Sequence, residues 1–426
     1  MNVTLINHNG SVGIGPIFYF NIHFFNQMFL ILSCQTACRM HHRASLSICP
    51  ALWRSIPCQR SELRLDFTLA CGQTFRWKEL SPGYWTGVLH GRVCTLTQTD
   101  EHVWYTMYTK EDCPAVSAAP LTATTTKRTK STKNTAACTP PKMIKTEEIK
   151  EEIETMESCK VSDGRDCKKD EEMLRDYFQL DVNLPALYQE WGKSDSNFAR
   201  VARDFPGIRV LRQEPTECLF SFICTSNNHI SRITSMIDRV CTSLGTHLAH
   251  LDSEDYCSFP TLQALAATDT EAKLRDLGFG YRAKFVSESA KTILSEHGSD
   301  WLEGLRLVPY EEAKSALCAL PGVGAKVADC VCLMALDKPE AVPVDTHVWQ
   351  IAKRDYLPQL GQGNKSLTDR VYREIGDSFR KLWGSHAGWA QSVLFCSDLK
   401  RFQTPGDNAK SSMKSNKRKQ DKKEIH

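Results

Sequence analysis

The stretch CALPGVGAKVADCVC, residues 318–332, places a proline and two glycines directly before a segment whose apolar residues have helical spacing. A predicted helix ends at Pro321, and Gly322 and Gly324 allow a tight turn in which no Cβ keeps another chain away from the backbone. A second helix is predicted to begin near Ala325, and its free N–H groups suit an anion such as a nucleic-acid phosphate. The stretch therefore predicts a helix, a hairpin and a helix beside a polyanion.

Lys326 lies in the first turn of the second helix, and Asp345 follows in AVPVDTHVW. The residues alone leave two interpretations open. In the first, Lys326 pairs with Asp329 at i+3 on a solvated surface, and Asp345 caps the helix that begins near Thr346. In the second, the hairpin holds the amine of Lys326 as a nucleophile, which requires burial or the helix dipole to lower its pKa from the usual ~10.4. A nearby carboxylate would oppose that change in pKa.

The whole chain has 426 residues and a net charge of +3, so affinity for a polyanion must come from local clusters of Lys and Arg. Such clusters occur around residues 127–133 and in 414–423. The 18 cysteines are scattered through apolar runs such as LFSFIC, which is typical of a reduced compartment rather than of a disulfide framework.

Composition and periodicity divide the chain into segments. From Ser61 to about Lys110, polar and apolar residues alternate, as in LRLDFTL and TFRWKEL, which predicts antiparallel strands. After Glu171 the spacing becomes helical, as in ISRITSMIDRVCTSL. We therefore predict an α+β fold in which an antiparallel sheet domain packs on an all-helical core. The segments are an acid-poor extension (1–49), the sheet domain (50–112), a disordered insertion (113–170), the helical domain with its hairpin at 319–326 (171–401) and a basic tail (402–426).

The N-terminal extension lacks acidic residues, since the first Asp or Glu of the chain is Glu62. With Arg39, Arg43 and several serines, this composition is typical of a mitochondrial transit peptide. An equally supported interpretation is an alternative start, with synthesis beginning at Met40. The basic tail favours the nucleus, with a mitochondrial pool if the transit peptide is used. The apolar run from Ile17 is marginal for a membrane span, and no membrane partner is expected.

The hairpin followed by Asp345 resembles the catalytic hairpin of the helix-hairpin-helix superfamily of base-excision DNA glycosylases. Iron-sulfur members of that superfamily carry four cysteines after the aspartate, whereas only Cys396 follows it here. The presence of Lys326 is typical of the strand-cleaving members. Stretches over about 50–112 and 171–401 are similar to eukaryotic 8-oxoguanine DNA glycosylase/lyase: PALWRSIPC, SELRLDFTLACGQTFRW, CLFSFICTSNNHISRI, LGFGYRAK, VADCVCLMALDKPEAVPVDTH and HAGWAQSVLF.

This resemblance implies a bifunctional DNA glycosylase and lyase that excises 8-oxoguanine opposite cytosine in base excision repair. Lys326 would attack the anomeric carbon of the flipped nucleotide, form a Schiff base and cleave the strand by β-elimination, while Asp345 stabilises positive charge on the sugar. The expected partner is double-stranded DNA with that lesion pair, bound by a monomer, and neither a metal nor another cofactor is expected. Two alternatives stay open: a non-catalytic helix-hairpin-helix DNA-binding protein, and a glycosylase for a different oxidised base.

The resemblance also assigns Gly72, Cys330, Gln391 and Phe395 to the pocket for the extruded base. Gln391 and Phe395 are four positions apart in a predicted helix, so the amide and the ring project from one face. The amide would bind the Watson–Crick edge of the base, and the ring would stack on it. A half-buried amphipathic helix is the simpler interpretation of that spacing alone. The carbonyl of Gly72 would accept the N7 proton of 8-oxoguanine, a discrimination against guanine of only ~1 kcal/mol.

Contacts with the rest of the DNA are implied for further residues. Asn227 would fill the gap left by the flipped base, Tyr281 would wedge the stack, and Arg232 and Arg282 would bind the orphaned cytosine. His347 would contact a phosphate, although a capping turn also explains a histidine there. The full set is Asn227, Arg232, Tyr281, Arg282, Gly322, Gly324 and His347.

Overall fold

The fold is described from a computed structural model, which covers Leu46 and residues 50–108, 164–361 and 366–402. The predictions for most of the extension, most of the insertion and nearly all of the basic tail lie outside the described residues. Among the helices that are described, none is long and apolar enough to cross a membrane.

An antiparallel sheet forms the first part of the described chain, with its strands in the spatial order β1-β5-β4-β3-β2. The strands are β1 Arg54–Pro57, β2 Lys78–Ser81, β3 Tyr84–Leu89, β4 Arg92–Gln98 and β5 His102–Met107. β3 and β4 are joined by His90 and Gly91, which have φ values of 47° and 71°. Two consecutive left-handed residues match the right-handed twist of the flanking strands. Trp85, Leu96 and Tyr105 are buried in a cluster beside this sheet, so the predicted antiparallel sheet is confirmed.

The stretch LRLDFTL, predicted as a strand, is instead a short helix, α1 Leu65–Thr68. The alternation of its leucines suggested a strand, but Leu65 and Leu69 lie one helical turn apart and are both buried. The side chain of Gln98 on β4 accepts from the Leu65 N–H at 3.1 Å and donates to the carbonyl of Leu63 at 2.5 Å. A single glutamine side chain therefore satisfies backbone groups that a neighbouring strand would otherwise bind.

The helical part of the chain surrounds one central helix. Its helices are α2 Gly164–Tyr177, α3 Leu184–Ser194, α4 Ser196–Asp204, α5 Pro215–Ile223, α6 Ile230–Leu244, α7 Leu262–Ala266, α8 Thr270–Asp276, α9 Arg282–Thr292, α10 Trp301–Gly304, α11 Tyr310–Cys318, α12 Ala325–Ala335, α13 Thr346–Ile351, α14 Asp369–Trp383 and α15 Ala387–Asp398. All residues of α12 from Val327 to Ala335 are buried. Because a helix with no solvated face must be enclosed by others, α12 forms the middle of the bundle, and only its first turn reaches the surface.

The start of α2 corrects the predicted end of the insertion. The helix begins at Gly164, within the segment 113–170 that the sequence analysis predicts to be disordered. The first half of α2 is rich in charged residues, which is why its composition resembled that of a disordered segment. Its second half carries Leu174 and Tyr177, which are buried in the same cluster as the sheet side chains.

The core is mostly helical rather than all-helical, because a two-stranded hairpin lies between α6 and α7. β6 His247–Leu251 pairs antiparallel with β7 Glu254–Cys257, and Asp252 in the turn has a φ of 53°. Ala249 and Leu251 are buried together with side chains of β3 and β4. These strands are so short that their alternation could not be separated from the helical spacing around them.

A buried arginine joins the sheet region to the helices. Arg209 donates to the carboxylate of Glu62 at 2.5 Å and to the carbonyl oxygens of Gln179 and Val182 at 2.7 and 2.8 Å. Burial lowers the pKa of Arg209, and the charge of Glu62 opposes this change. The carbonyl of Arg209 accepts from Gln73 Nε2 at 2.7 Å. The turn CGQTF, which contains this glutamine, is thereby fixed against the helical part.

Candidate active site

The hairpin between α11 and α12 uses its two glycines differently. Gly322 has a φ of 76°, and a Cβ there would lie 2.4 Å from Cγ of Phe285. Both the backbone conformation and the packing therefore require glycine at this position. Gly324 is the N-cap of α12 in an extended conformation, and a Cβ there would meet nothing within 4 Å. The fold does not require glycine at 324, which leaves that backbone open to a partner.

One cleft at the start of α12 contains every residue that the sequence analysis assigned to catalysis or to base binding. These residues are Gly72, Lys326, Cys330, Asp345, Gln391 and Phe395. The walls of the cleft come from the turn CGQTF, α5, α12, the loop before α13, and α15. The fold thus brings together stretches that are far apart in the sequence.

The amine of Lys326 is held by two groups at the end of α5. Its Nζ donates to Thr225 Oγ1 at 3.1 Å and lies 5.0 Å from the ring centre of Phe222. The hydroxyl of Thr225 donates its own proton to the carbonyl of Phe222 at 2.7 Å, so it accepts from Lys326. The interpretation in which Lys326 pairs with Asp329 on the surface is wrong. Asp329 is buried, and its carboxylate pairs with Lys314 at 3.0 Å.

Thr225 is a site residue that the sequence analysis did not identify. It follows α5 in CLFSFICTSNN, where a threonine after an apolar helix is typical of an ordinary helix end. It is 101 residues away from Lys326 in the chain, so their contact depends on how α5 packs on α12. No local pattern in the sequence indicates this contact.

The wall of the cleft contains a neutral thiol and a buried amide. Burial raises the pKa of Cys330 to about 11, and the charge of Lys326 opposes this change. Cys330 is therefore a thiol at neutral pH and acts as a small, weakly polar wall. Gln391 is only 5% exposed, and the residues of α15 before and after it are buried. Most residues of α15 are buried, so it is not the half-buried amphipathic helix of the simpler interpretation, and Gln391 lines the cleft.

Asp345 caps α13, which is one of the interpretations that the residues left open. Its Oδ1 accepts from the Val348 N–H at 2.8 Å, and its Oδ2 lies 3.3 Å from Nδ1 of His347. One carboxylate oxygen is thus used to hold the helix, while the side chain still lines the cleft. The ring of His347 is exposed and lies 5.9 Å from that of Phe395, edge to face. Capping and a role in the cleft are compatible for Asp345.

The residues expected at the gap in the DNA also lie together. Asn227 is exposed and has a φ of 49°. The carbonyl of Ser226 accepts from the hydroxyl of Tyr281 at 3.2 Å and from Nε of Arg282 at 3.1 Å. Arg282 is only 4% exposed, and its guanidinium lies 4.5 Å from the ring centre of Tyr281. Arg282 therefore holds the loop that presents Asn227, rather than projecting into solvent.

Arg232 differs from Arg282 in its exposure. It lies in the first turn of α6, and its side chain is exposed. The ring of His229 caps this helix, since its Nδ1 accepts from the Arg232 N–H at 3.4 Å. Of the two arginines expected to bind cytosine, Arg232 is the one that is available to a partner in this structure.

Comparison with known proteins identifies relatives over most of the chain. The family described as 8-oxoguanine DNA glycosylase, N-terminal domain, matches residues 55–219, and the HhH-GPD superfamily of base excision DNA repair proteins matches residues 220–371. The chain is 35% identical over 356 residues to the N-glycosylase/DNA lyase OGG1 of Arabidopsis thaliana, which covers 83% of this chain and 82% of that protein. It is 40% identical over 272 residues to the N-glycosylase/DNA lyase of Saccharomyces cerevisiae, which covers 58% of this chain and 72% of that protein.

Solved structures share the fold. The 8-oxoguanine glycosylase/lyase of Clostridium acetobutylicum, in a complex with double-stranded DNA containing cytosine opposite to 8-oxoG, is similar with a TM-score of 0.57 and 25% identity, over 78% of this chain and 91% of that one. Its apo form has a TM-score of 0.59 at 24% identity, over 81% and 96% of the two chains. The predicted α+β class, with a sheet packed on a helix-hairpin-helix core, is confirmed. The chain belongs to the 8-oxoguanine N-glycosylase/DNA lyase family and is a DNA glycosylase with lyase activity.

Proposed function

We propose that this enzyme removes 8-oxoguanine paired with cytosine from duplex DNA and then cleaves the damaged strand. The observation that most supports the proposal is the convergence of Lys326, Asp345, Gln391 and Phe395 on one cleft beside the hairpin. A nucleophile, a carboxylate, an amide and an aromatic ring are the groups needed to bind one extruded base and to break its glycosidic bond. The Clostridium relative was solved with cytosine opposite 8-oxoG, which favours the same pair here.

Excision starts with the extruded nucleotide in the cleft. The amide of Gln391 binds the Watson–Crick edge of the base, and the ring of Phe395 stacks on its face. The unprotonated amine of Lys326 attacks C1′, and the Nζ–C1′ bond forms as the C1′–N9 bond breaks. The base leaves with the bonding electron pair and takes up a proton. The carboxylate of Asp345 stabilises the positive charge that the sugar carries as this bond breaks.

Strand cleavage uses the same covalent adduct. Opening of the sugar ring converts the adduct into a Schiff base between Lys326 and C1′, which makes the C2′ protons acidic. Loss of one C2′ proton expels the 3′ phosphate by β-elimination, and water then releases Lys326 from the sugar fragment. The two activities of the family thus require one lysine, which must lose a proton before it attacks.

Recognition of the opposite base falls first to Arg232, because its side chain is exposed. Arg282 is bound to the carbonyls of Ser226 and Asn227, so it supports the loop that enters the DNA until the complex forms. Gly324 and the N-terminus of α12 provide the open backbone for a phosphate.

A substrate panel tests the proposed function. Single-turnover cleavage would be measured on duplexes that pair 8-oxoguanine or another oxidised base with each of the four normal bases. We expect the duplex with 8-oxoguanine opposite cytosine to be cleaved fastest, and Arg232→Gln to reduce its advantage over the other opposite bases by about 10-fold, as for one polar base contact. Faster cleavage of a different oxidised base, or an equal rate for all opposite bases, would overturn the proposed specificity.

A further inference from the structure

The helix that carries Lys326 also carries a buried carboxylate. Asp329 lies three positions after Lys326, and its side chain is only 1% exposed. Its Oδ1 accepts from the hydroxyl of Tyr310 at 2.6 Å, and its Oδ2 accepts from the hydroxyl of Tyr372 at 2.5 Å and from Nζ of Lys314 at 3.0 Å. A carboxylate this deep in a core is costly unless it is paired and hydrogen-bonded, and Asp329 is both. Both carboxylate oxygens of Asp329 are therefore hydrogen-bonded within this cluster, although Asp329 does not line the cleft.

Tyr372 connects this carboxylate to the loop that carries Asp345. Its hydroxyl has one proton, which goes to the charged Oδ2 of Asp329 at 2.5 Å rather than to the carbonyl of Val342 at 3.5 Å. The hydroxyl oxygen of Tyr372 also accepts from the N–H of Val344 at 3.3 Å. Val344 directly precedes Asp345 in the sequence, and both Tyr372 and Val344 are buried. A continuous path of hydrogen bonds thus runs from α12 through α14 to the loop before α13.

We propose that Asp329 and Tyr372 are positioning residues, which hold Asp345 at a fixed place relative to Lys326. Lys326 and Asp345 lie beside the two ends of this path. Lys326 is one turn before Asp329 on α12, and Asp345 is the next residue after Val344. Both side chains line the same cleft, where a shift of one carboxylate would change its distance from the reacting sugar. The inference rests on the proposed function for its effect on rate, but the fixed loop is a property of the fold alone.

The cluster contains its own control. Tyr310 donates to the other oxygen of the same carboxylate, and its hydroxyl also accepts from Lys314 at 3.0 Å. Among the described residues, its recorded hydrogen bonds are with Asp329 and Lys314, not with the loop 342–345. Tyr310→Phe and Tyr372→Phe therefore each remove one buried hydroxyl from Asp329. Only Tyr372→Phe also removes the acceptor for the loop.

The experiment compares the full chain with these two variants by four measurements. They are the melting temperature, the Kd for a duplex with a non-cleavable abasic analogue, the single-turnover excision rate on 8-oxoguanine opposite cytosine, and hydrogen exchange of peptides that cover 340–348. We expect similar losses in melting temperature and unchanged Kd for both variants. Tyr372→Phe should lower the excision rate by roughly 10-fold, less than the ~100-fold that a misplacement of about 1 Å costs, and should speed exchange in the loop. Tyr310→Phe should leave rate and loop exchange near those of the unmodified chain.

Equal rates and equal loop exchange in the two variants would overturn the positioning role and leave Asp329 as a structural carboxylate. Failure of the unmodified chain to excise 8-oxoguanine would instead overturn the proposed function. In that case the exchange comparison still decides whether Tyr372 fixes the loop before Asp345.

Discussion

The amine of Lys326 lies 3.1 Å from the hydroxyl of Thr225, so the residue after the end of α5 fixes the position of a side chain in the first turn of α12. The hydroxyl is oriented by its own bond to the carbonyl of Phe222 at 2.7 Å. An acceptor fixed in this way limits the rotamers of a long, flexible side chain before DNA is bound. Lys326 is therefore held in place within the free enzyme, which reduces the entropy lost on reaching the reactive geometry.

Thr225→Val should slow excision without weakening DNA binding. The substitution keeps the shape of the side chain but removes the acceptor for Lys326, and the loss of one hydrogen bond of ~1 kcal/mol corresponds to about 5-fold in single-turnover rate. Thr242→Val is the matched control, because Thr242 is exposed on α6 and bonds to the carbonyl of Asp238 at 2.9 Å. An unchanged rate in Thr225→Val would show that this contact does not orient the amine.

The two hairpin glycines should respond differently to alanine. Gly322→Ala should destabilise the fold by at least ~1 kcal/mol, because of its positive φ and the Cβ contact of 2.4 Å with Phe285. Gly324→Ala should leave the melting temperature nearly unchanged but weaken binding to undamaged duplex, since the new Cβ would lie in the open space where we propose that the DNA backbone binds. Thermal unfolding and fluorescence anisotropy separate the two effects. Unchanged binding by Gly324→Ala would place the DNA backbone elsewhere.

Glu217 should make stability depend on pH. Burial raises its pKa from 4.5 to about 7, and the charge of Arg76 opposes this change. Because the folded pKa is the higher one, the contribution of neutral Glu217 is complete below pH 4.5 and is lost as pH rises through about 7. Glu217→Gln cannot ionise, so the free energy of unfolding of the unmodified chain should fall relative to that variant by about 1–3 kcal/mol between pH 4.5 and 8.

Urea unfolding of both proteins across this pH range measures the difference. Glu271→Gln serves as the control, since Glu271 lies on the surface of α8 beside Arg275. A difference between the unmodified chain and Glu217→Gln that stays constant with pH would contradict the raised pKa.

Arg209→Met should destabilise the junction between the sheet and the helices. It removes the partner of Glu62 and the hydrogen bonds that Arg209 donates to the carbonyls of Gln179 and Val182, a change of about 1–3 kcal/mol for buried groups that lose a partner. Arg200→Met is the control, because Arg200 is exposed on α4 and should change stability by less than about 0.5 kcal/mol. Equal melting temperatures for the two variants would show that this junction does not depend on Arg209.

The sequence predicted those parts of the molecule that local patterns determine. The hairpin before Lys326, the cap formed by Asp345 and the spacing of Gln391 and Phe395 each need only a few neighbouring residues, and each is found as expected. LRLDFTL was wrongly predicted as a strand. Its backbone is bound by the side chain of Gln98 on β4 instead of by a neighbouring strand, and Gln98 is distant in the sequence.

The remaining features depend on contacts between distant segments. Thr225 meets Lys326 across 101 positions, and Asp329 meets Tyr372 across 43. The burial of Arg282 likewise follows from the loop at Ser226, 56 positions earlier. Periodicity and motif spacing contain no information on such pairs, which arise only when the helices are packed together.

Trapping with borohydride tests the central claim most directly, since it reduces a Schiff base to a permanent bond. The full chain should become covalently attached to a duplex with 8-oxoguanine opposite cytosine, and so should Lys273→Gln, whose lysine is an exposed residue of α8 paired with Asp269. Lys326→Gln should form no adduct while still binding the duplex. An adduct with Lys326→Gln, or none with the full chain, would contradict the assignment of Lys326 as the nucleophile.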